Sequence, residues 1–306
     1  MDKNKLHNHQ MIYIIITFAI ITMLFLGIEV LASERVEMFP GGDFDHWNKK
    51  EIKESRLIGG KVKTLYKING GQWSSSNAHA KAFGIDKVSI STTPEKRGEG
   101  YCCRMETTLE IVTAIGIDLK ALATGSVYTG KLLDIVGMKQ SSDPNSAIDM
   151  GVPFTKKPKA LMLDYKALIQ PNGQIVFANA GTKVKNVAGR DKGQISLILQ
   201  HRWEKDGHIY AYRVGSAHEY IESSTNGWVN NHRLPIHYGQ YGSLSSKRHK
   251  AKNSAGKMVY VEEVGFRGDI QPTHIIIQIS AGCQQPFTGC PGNIMWCDNI
   301  RLVYDE

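Results

Sequence analysis

Aromatic and hydrogen-bonding side chains are interleaved most densely between residues 200 and 241. A sugar ring presents apolar C–H faces bordered by hydroxyl groups, so carbohydrate sites combine exposed aromatic rings with amides, carboxylates and basic groups at the edges. Trp228 lies in a polar segment without strand alternation, which is typical of a loop that displays a ring, and it is the first candidate for stacking on a sugar. The other glycan-binding candidates of this segment are Trp203, Tyr212, Tyr220, Arg213 and Asn230. The alternative for each ring is a place at the edge of a hydrophobic core or on a strand face.

Carboxylates that could cut a glycosidic bond are harder to assign. Hydrolysis needs two carboxyl groups that face each other across a cleft at roughly 5 to 10 Å, one protonated and one ionised. Glu219 and Glu222 are an odd number of positions apart, so an extended strand would place them on opposite faces. Asp164 is the weak candidate for a catalytic acid, because it lies beside Tyr165 in an alternating segment; the alternative is a solvent-facing partner of Lys166. The chain has none of the sequence motifs of serine hydrolases, zinc proteases or phosphate-binding loops.

Short alternating segments separated by Gly-, Ser- and Pro-containing turns recur along the chain. In one of them Leu161, Leu163 and Tyr165 point to the same face, which is the period-2 pattern of a half-buried strand. The Asp-Gly pair at 206–207, between two such segments, predicts a hairpin turn. Segment 106–122 could hold a short helix, although its Thr, Val and Ile content argues against one. Repeated short strands with little helical periodicity predict an all-β sandwich or barrel.

Two of the five cysteines lie in one short, turn-rich loop. We expect Cys283 and Cys290 to form a disulfide, which would contribute about 2 to 3 kcal/mol by restricting the unfolded chain. Cys102 and Cys103 are adjacent in a predicted strand, so their side chains point to opposite faces and should not pair.

The first 32 residues predict an exported protein. Lys3 and Lys5 precede an apolar run from Met11 to Ile28, and small residues ending at Ala32 fit a signal-peptidase site. We therefore expect a signal peptide at 1–32 and a periplasmic, secreted or cell-surface location. The apolar run is also long enough to span a bilayer, so an uncleaved N-terminal anchor is the alternative. A short lead at 33–43 and a single β-sandwich domain at 44–306 would follow.

The net charge of +8 is spread along the chain. Basic proteins can favour acidic glycans, lipid headgroups or nucleic acid. The densest basic segment, 247–257, lies among Ser, Gly and Asn, and this composition is typical of a solvated loop. With an exported location we expect a poly- or oligosaccharide partner, no nucleic acid, and membrane contact only through an uncleaved N-terminal segment.

Two blocks of sequence resemble a known family. The block Gly125-Ser-Val-Tyr-Thr-Gly130, followed by Gly151-Val-Pro-Phe-Thr-Lys-Lys-Pro158 and an aliphatic strand ending in Tyr165-Lys166, resembles the core signature of the putative carbohydrate metabolism domain family. The segment Trp296-Cys-Asp-Asn-Ile-Arg-Leu-Val-Tyr304 is similar to the family's closing strand. The resemblance spans about residues 44–306. It implies a two-sheet antiparallel β-sandwich of the jelly-roll, carbohydrate-binding-module type in a glycan context, and it supplies no catalytic residues.

The same likeness to jelly-roll sugar-binding modules suggests a metal site. In many such modules a calcium ion ties the first and last strands together, and Asp45 and Asp298 occupy comparable places here. Carboxylate oxygens suit Ca²⁺, but two of them do not make a complete site. A structural calcium ion is therefore the one cofactor considered. The alternative is that Asp298 accepts backbone hydrogen bonds where strands cross.

Together these observations predict an exported glycan-recognition protein. Its binding surface would come from residues 200–241, with a contribution from 125–158, and would work by aromatic stacking and edge hydrogen bonds without bond cleavage. The first alternative is a glycoside hydrolase or lyase that uses a carboxylate such as Asp164. The second alternative is a surface adhesion or structural protein. Paired acids in a deep cleft would favour the enzyme, whereas a shallow aromatic surface would favour the binding protein.

Overall fold

The computed structural model describes most of the chain after the N-terminal segment. The described residues are 34–305 without positions 83, 115, 138–139, 141–142 and 245–248. The predicted signal segment and part of the basic segment 247–257 lie outside them. Val36–Tyr304 form one compact unit. Within the described ranges no helix is long and apolar enough to cross a bilayer.

Strands dominate the described residues. The strands of the first half are β1 Glu34–Met38, β2 Trp47–Lys53, β3 Val62–Ile68, β4 Trp73–Ser75, β5 Ala78–Ala82, β6 Ile85–Ser89, β7 Thr92–Arg97, β8 Gly100–Glu106, β9 Thr108–Ala114, β10 Ile117–Ala123, β11 Ser126–Leu132, β12 Ile148–Met150 and β13 Val152–Pro153. The strands of the second half are β14 Ala160–Leu168, β15 Ile175–Phe177, β16 Asn179–Gly181, β17 Lys185–Val187, β18 Gly193–Lys205, β19 His208–Ile221, β20 Val229–Pro235, β21 His237–Tyr238, β22 Lys250–Lys252, β23 Met258–Phe266, β24 His274–Ser280, β25 Thr288–Gly289 and β26 Ile294–Asp305. Single 3₁₀ turns occur at Arg56–Ile58 and Pro144–Ala147.

Two large sheets organise these strands. One contains the order β20-β14-β26-β8-β7, and the other contains the order β12-β11-β24-β18-β19-β23-β22. Smaller sheets of two or three strands surround them. Neighbouring strands of the large sheets are antiparallel, except that β19 and β23 run parallel. The predicted all-β sandwich is confirmed, while the jelly-roll order of connections stays a prediction.

The main hydrophobic core contains residues of both large sheets. From β14 it takes Leu161, Leu163 and Tyr165, which are 0, 0 and 8% exposed, and the predicted alternation of this strand is thereby confirmed. From the other sheet it includes Leu199 of β18 and Ile277 of β24. Burying each large aliphatic side chain contributes about 1.5 to 3 kcal/mol, so this interleaved packing holds the two sheets together.

Segment 106–122 is a β-hairpin and not the short helix considered for it. β9 and β10 pair antiparallel from Thr108 opposite Ala123 to Ala114 opposite Ile117. Threonine, valine and isoleucine lose side-chain freedom in a helix but pack well on a pleated surface. Their frequency in this segment therefore favours strands over a helix.

The Asp-Gly turn between β18 and β19 is confirmed. Asp206 and Gly207 have φ values of 52° and 76°, the left-handed conformation that a two-residue type I′ hairpin turn requires at both central positions. This turn fixes the register of the two longest strands, in which Lys205 pairs with His208 and Trp203 with Tyr210.

Candidate functional site

A cleft of about 490 Å³ lies beside the β18–β19 hairpin. This volume falls within the usual range for ligand-binding sites, roughly 300 to 1,000 Å³. The residues that line it, called the cleft residues below, are Gly71, Gln72, Lys131, Asp149, Gly151, Val152, Pro153, Arg202, Trp203, Glu204, Ile209, Ala251, Lys252 and His274. Nine of these fourteen residues come from the two predicted regions, 125–158 and 200–241, and the other five lie at 71–72, 251–252 and 274.

The strand geometry brings Arg202 and Trp203 to an edge of the large sheet. The pairing of β24 with β18 ends at His274, which is opposite Gln200. Beyond that point the described strands flank β18 on one side only, through β19. Successive side chains alternate between faces, so a ligand that follows this edge can contact the guanidinium of Arg202 on one face and the indole of Trp203 on the other.

The guanidinium of Arg202 is held by an amide and an imidazole. Its Nε donates to Gln200 Oε1 at 2.8 Å, and its Nη2 lies 3.3 Å from His249 Nε2. Burial lowers the pKa of Arg202 to about 10, and the charges of Asp149 and Glu263 only partly oppose this. Arg202 therefore remains a cation at neutral pH, in a place where its charge is poorly compensated.

Gly151 leaves room for this guanidinium. Its φ is +90°, and a Cβ at this position would lie 2.8 Å from Arg202 Nη2. Glycine is required here both by the left-handed backbone and by the close approach of the side chain.

Two carboxylates also line the cleft, and both accept hydrogen bonds from nearby groups. Asp149 Oδ1 accepts the backbone N–H of Lys252 at 2.9 Å. Both oxygens of Glu204 accept from Ser254, Oε1 from its hydroxyl at 2.6 Å and Oε2 from its backbone N–H at 2.8 Å. The Ser254 hydroxyl and then its amide lower the pKa of Glu204, so this carboxyl is ionised at neutral pH.

His274 is uncharged at neutral pH. Burial, with a further contribution from the charge of Arg202, lowers the pKa of His274 to about 4. Its Nδ1 lies 2.9 Å from the hydroxyl of Thr273. His274 therefore offers the cleft a neutral imidazole that can exchange hydrogen bonds without adding charge.

Behind the cleft a buried ion pair supports Arg202. Arg213 Nε donates to Glu263 Oε1 at 2.9 Å, and Arg213 Nη2 bonds the other carboxylate oxygen. Gln200 Nε2 donates to the same Oε1 at 2.9 Å, while Gln200 Oε1 accepts from Arg202. The structure thus places the predicted glycan-binding residue Arg213 in the buried support of the cleft, where only 3% of it is exposed.

Three aromatic rings meet at the same hairpin. The ring of Trp203 lies 5.8 Å from that of Tyr210 in a stacked arrangement and 4.9 Å from that of Tyr212. All three rings are partly exposed. The structure therefore brings the predicted residues Trp203 and Tyr212 together. We call Trp203, Tyr210 and Tyr212 the aromatic group.

Trp228 lies in the loop immediately before β20, as predicted, and charged side chains lie over its ring. The Arg97 guanidinium is 3.9 Å from the centre of its ring, and Lys166 Nζ is 5.7 Å away. The ring also packs against a cluster that includes Trp296. Asn230, another predicted glycan-binding residue, accepts a hydrogen bond of 2.7 Å from Arg97. Trp228 and Asn230 thus belong to one structural network that does not include any cleft residue.

Asp164 is the centre of that network. It accepts hydrogen bonds from Arg97 Nη2, Arg301 Nη2 and Asn299 Nδ2, each at 2.9 Å, and from the backbone N–H of Asn231 at 2.8 Å. Burial opposes its charge, but these hydrogen bonds, first among them that of Asn231, outweigh it and lower the pKa of Asp164. A carboxyl held ionised in this way is poorly suited to donate a proton.

The two predicted calcium ligands have other partners. Asp45 Oδ1 accepts the backbone N–H of Tyr101 at 2.7 Å, and Asp298 Oδ2 accepts from Arg97 Nη1 at 2.6 Å. Burial raises the pKa of Asp298 despite this bond. The part of the chain that the structure describes has no group of three or more His, Cys, Asp or Glu residues that could hold a metal ion. Both carboxylates thus have partners within the protein, and a structural calcium ion at Asp45 and Asp298 stays a prediction.

Tyr220 is separate from the aromatic group. It is 48% exposed, and its ring lies 4.3 Å from that of His218 in an edge-on arrangement. Lys192 Nζ lies 5.2 Å from the ring centre. Tyr220 is not a cleft residue.

The predicted disulfide is not present in the structure. Cys283 and Cys290 are free thiols, as are the other described cysteines. The buried carboxylate of Asp191 holds their loop instead, because its oxygens accept the backbone N–H groups of Cys283 at 3.0 Å and Cys290 at 2.9 Å. Cys103 and Cys297, which the sequence did not pair, lie opposite each other in β8 and β26.

Four polar cleft residues were not predicted from the sequence. Lys131, Asp149, Lys252 and His274 come from four separate strands, and nothing in their local sequence sets them apart. The sequence did contain a signal for Gly151, because this residue is the first of the family-like segment 151–158.

Comparison with known proteins agrees with the fold. The model of the family described as "Putative carbohydrate metabolism domain" matches residues 43–303. One similar solved structure, titled a putative glycoside hydrolase from Bacteroides thetaiotaomicron, has a TM-score of 0.53 and 18% identity, with 88% of this chain and 72% of that chain covered. Another, titled a putative glycoside hydrolase from Bacteroides vulgatus, has a TM-score of 0.49 and 17% identity, with coverages of 87% and 96%. A search of curated proteins gave no match. The match to the family model covers most of the sequence, and the chain belongs to the Putative carbohydrate metabolism domain family.

Proposed function

We propose that this protein binds a poly- or oligosaccharide at the edge of the β18–β19 hairpin, with the chain of sugars in contact with both the cleft and the aromatic group. Family membership supports a carbohydrate-related function. The binding mode follows from the side chains present. Aromatic rings would contact the apolar faces of the sugars, while Arg202, His274 and the cleft carboxylates would exchange hydrogen bonds with hydroxyl groups.

One observation carries the proposal: Trp203 belongs to both surfaces. It lines a cleft of ligand size, and its ring is the centre of a three-ring aromatic group. Trp228, the first candidate from the sequence, contacts Arg97 and the cluster around Trp296 instead. The geometry therefore favours Trp203 as the stacking residue.

A glycan array probed with the full-length protein tests the proposal. We expect binding to a defined set of glycans, and Trp203→Ala should remove most of it because the substitution takes an indole from both surfaces. Trp228→Ala is the matched control, since it removes the same side chain from the loop before β20, beside the other large sheet. Folded wild-type protein that binds no glycan would contradict the proposal and turn attention to the adhesion or structural alternative.

Glycoside hydrolysis is the second candidate function, and the presence of two carboxylates in the cleft favours it. Asp149 and Glu204 both line the cleft, whereas Asp164 does not. In a hydrolase Glu204, held ionised by Ser254, would be the base or nucleophile, and Asp149 would be the proton donor. The titles of the two similar structures agree with this candidate but at 18% and 17% identity they support the fold alone.

Incubation with the polysaccharides selected on the array separates binding from cleavage. Release of new reducing ends, abolished by Asp149→Asn and by Glu204→Gln, would establish hydrolysis. Unsaturated sugar products would indicate a lyase. Tight binding with intact polysaccharide would establish the binding function.

We also propose that the mature protein is exported. The apolar run from Met11 to Ile28 and the small residues ending at Ala32 support this. N-terminal sequencing of the protein from its native cells should give a first residue of Ser33. An intact N-terminus in the membrane fraction would support the anchor, and an intact N-terminus in the cytoplasm would contradict export.

A further inference from the structure

We propose that the cleft selects acidic glycans, and that Arg202 pairs with the carboxylate of a uronic-acid residue. The inference rests on the proposed glycan-binding function and names its substrate class. It depends on how charges are paired around the cleft, which is independent of the aromatic contacts described above.

The cleft contains three cations with no carboxylate bound to them. Within the described residues no salt bridge joins Lys131, Arg202 or Lys252 to an acidic side chain. Arg202 is bonded to the amide of Gln200 and lies beside the imidazole of His249 instead. Elsewhere in the same sheet the buried Arg213 has a carboxylate on its guanidinium. A partly buried guanidinium without an anionic partner carries a desolvation cost that a bound carboxylate would offset.

The acidic cleft residues do not take this place. Asp149 accepts the backbone amide of Lys252, and Glu204 is occupied on both oxygens by Ser254. His274 adds no charge at neutral pH because burial lowers its pKa to about 4. The cleft therefore has three cations against two carboxylates, and the least exposed of the three cations is Arg202.

The backbone at Gly151 lies so close to the guanidinium of Arg202 that no residue larger than glycine fits at position 151. A Cβ at position 151 would lie 2.8 Å from Nη2, so only glycine at this position leaves the guanidinium where it lines the cleft. A planar guanidinium can form two parallel hydrogen bonds to a carboxylate, and such bidentate pairs are both strong and selective for that group.

Paired ligands test the inference. Full-length protein is titrated with oligomers of galacturonic, glucuronic and mannuronic acid, each beside the neutral oligomer made by reducing its carboxyl groups, and with a sulfated galactose oligomer. We expect at least one uronic-acid oligomer to bind about tenfold or more tightly than its reduced counterpart. Its affinity should also fall with added salt, because one partner of the pair is a ligand charge.

Two variants locate the effect. Arg202→Gln should bind the acidic and reduced oligomers equally, while Trp203→Ala should weaken both by the same factor and keep the preference. Lys131→Gln combined with Lys252→Gln should reduce the preference only slightly, because these side chains are exposed to solvent.

Each outcome has a distinct meaning. Equal wild-type binding of acidic and reduced oligomers would overturn the inference and leave glycan binding in place, as would binding of the sulfated oligomer alone. A preference that survives Arg202→Gln in folded protein would overturn the role of Arg202. Folded wild-type protein that binds none of these ligands, nor any glycan on the array, would overturn the inference together with the proposed function.

Discussion

The buried pair of Arg213 and Glu263 links stability to the site at the level of single residues. Its side chains are 3% and 0% exposed, and Glu263 also accepts from Gln200, which in turn bonds Arg202. Loss of one partner would leave the other charge buried and uncompensated. The pair therefore holds the support of the cleft in one arrangement.

Glu263→Gln should lower the free energy of unfolding by about 3 to 5 kcal/mol. Glu222→Gln is the matched control, because Glu222 pairs with Lys192 at the surface and such pairs contribute no more than about 1 kcal/mol. Denaturation by urea measures both differences. A loss for Glu263→Gln no larger than that of the control would show that the buried pair is dispensable.

His274 should make stability depend on pH. Burial keeps its pKa near 4 in the folded protein, whereas the ordinary value is 6.5. The unfolded chain therefore takes up a proton in the window between these values and the folded chain does not. The contribution of this residue to stability is complete above about pH 6.5 and is lost as the pH falls from there through about 4, by at most about 3.4 kcal/mol.

The comparison of wild type with His274→Gln isolates this effect from that of other groups. Unfolding free energies are measured for both proteins between about pH 4 and 7. We expect the wild type to lose stability more steeply toward acid, so the difference between the two proteins should shrink as the pH falls. Parallel curves would contradict a neutral, buried His274.

At the level of elements, the turn after β12 is what brings backbone close to Arg202. Gly151→Ala should be destabilising by more than about 1 kcal/mol, because it combines a left-handed backbone with a contact of 2.8 Å to Arg202 Nη2. It should also displace the guanidinium and weaken binding of acidic oligomers.

Gly256→Ala separates strain from contact. Gly256 has a φ of +75°, and a Cβ there would meet nothing within 4 Å. We expect this control to lose about 1 kcal/mol and to keep full ligand affinity. Equal loss of affinity in both variants would remove Gly151 from the account of the cleft.

Turns and strands could be predicted from the local sequence where a single physical requirement dominated. The Asp-Gly turn at 206–207 needed left-handed backbone at two positions, and alternation in β14 followed directly from the burial of Leu161 and Leu163. The prediction for the loop at 283–290 was wrong because the sequence shows two cysteines close together. It does not show that the carboxylate of Asp191, about 92 residues earlier, binds the backbone of this loop. Contacts between distant strands are set by topology, and composition alone does not reveal them.

At the level of the whole molecule, the fold was more predictable than the site. Repeated short strands and the family-like blocks predicted the all-β sandwich. The cleft, by contrast, gathers Lys131, Asp149, Arg202 and His274 from strands that are neighbours only in the folded sheet. Trp228 was chosen for its polar surroundings in sequence, yet in the folded protein Arg97 covers its ring from a strand about 131 residues away. Exposure of a ring depends on such long-range contacts.

The net charge of +8 gives little information about the ligand by itself. What bears on ligand choice is the local pairing of charges, since the Arg97 and Arg213 guanidinium groups are bonded to carboxylates whereas that of Arg202 is bonded to the amide of Gln200. The site proposed here is defined by that difference.

The most direct test of the central claim is the affinity of wild type, Trp203→Ala and Trp228→Ala for one glycan selected on the array, measured by calorimetry on folded proteins. We predict that Trp203→Ala weakens binding about tenfold or more, which corresponds to about 1.4 kcal/mol, and that Trp228→Ala leaves the affinity unchanged. Loss of affinity in Trp228→Ala with full affinity in Trp203→Ala would place the glycan at the loop before β20 and contradict the account.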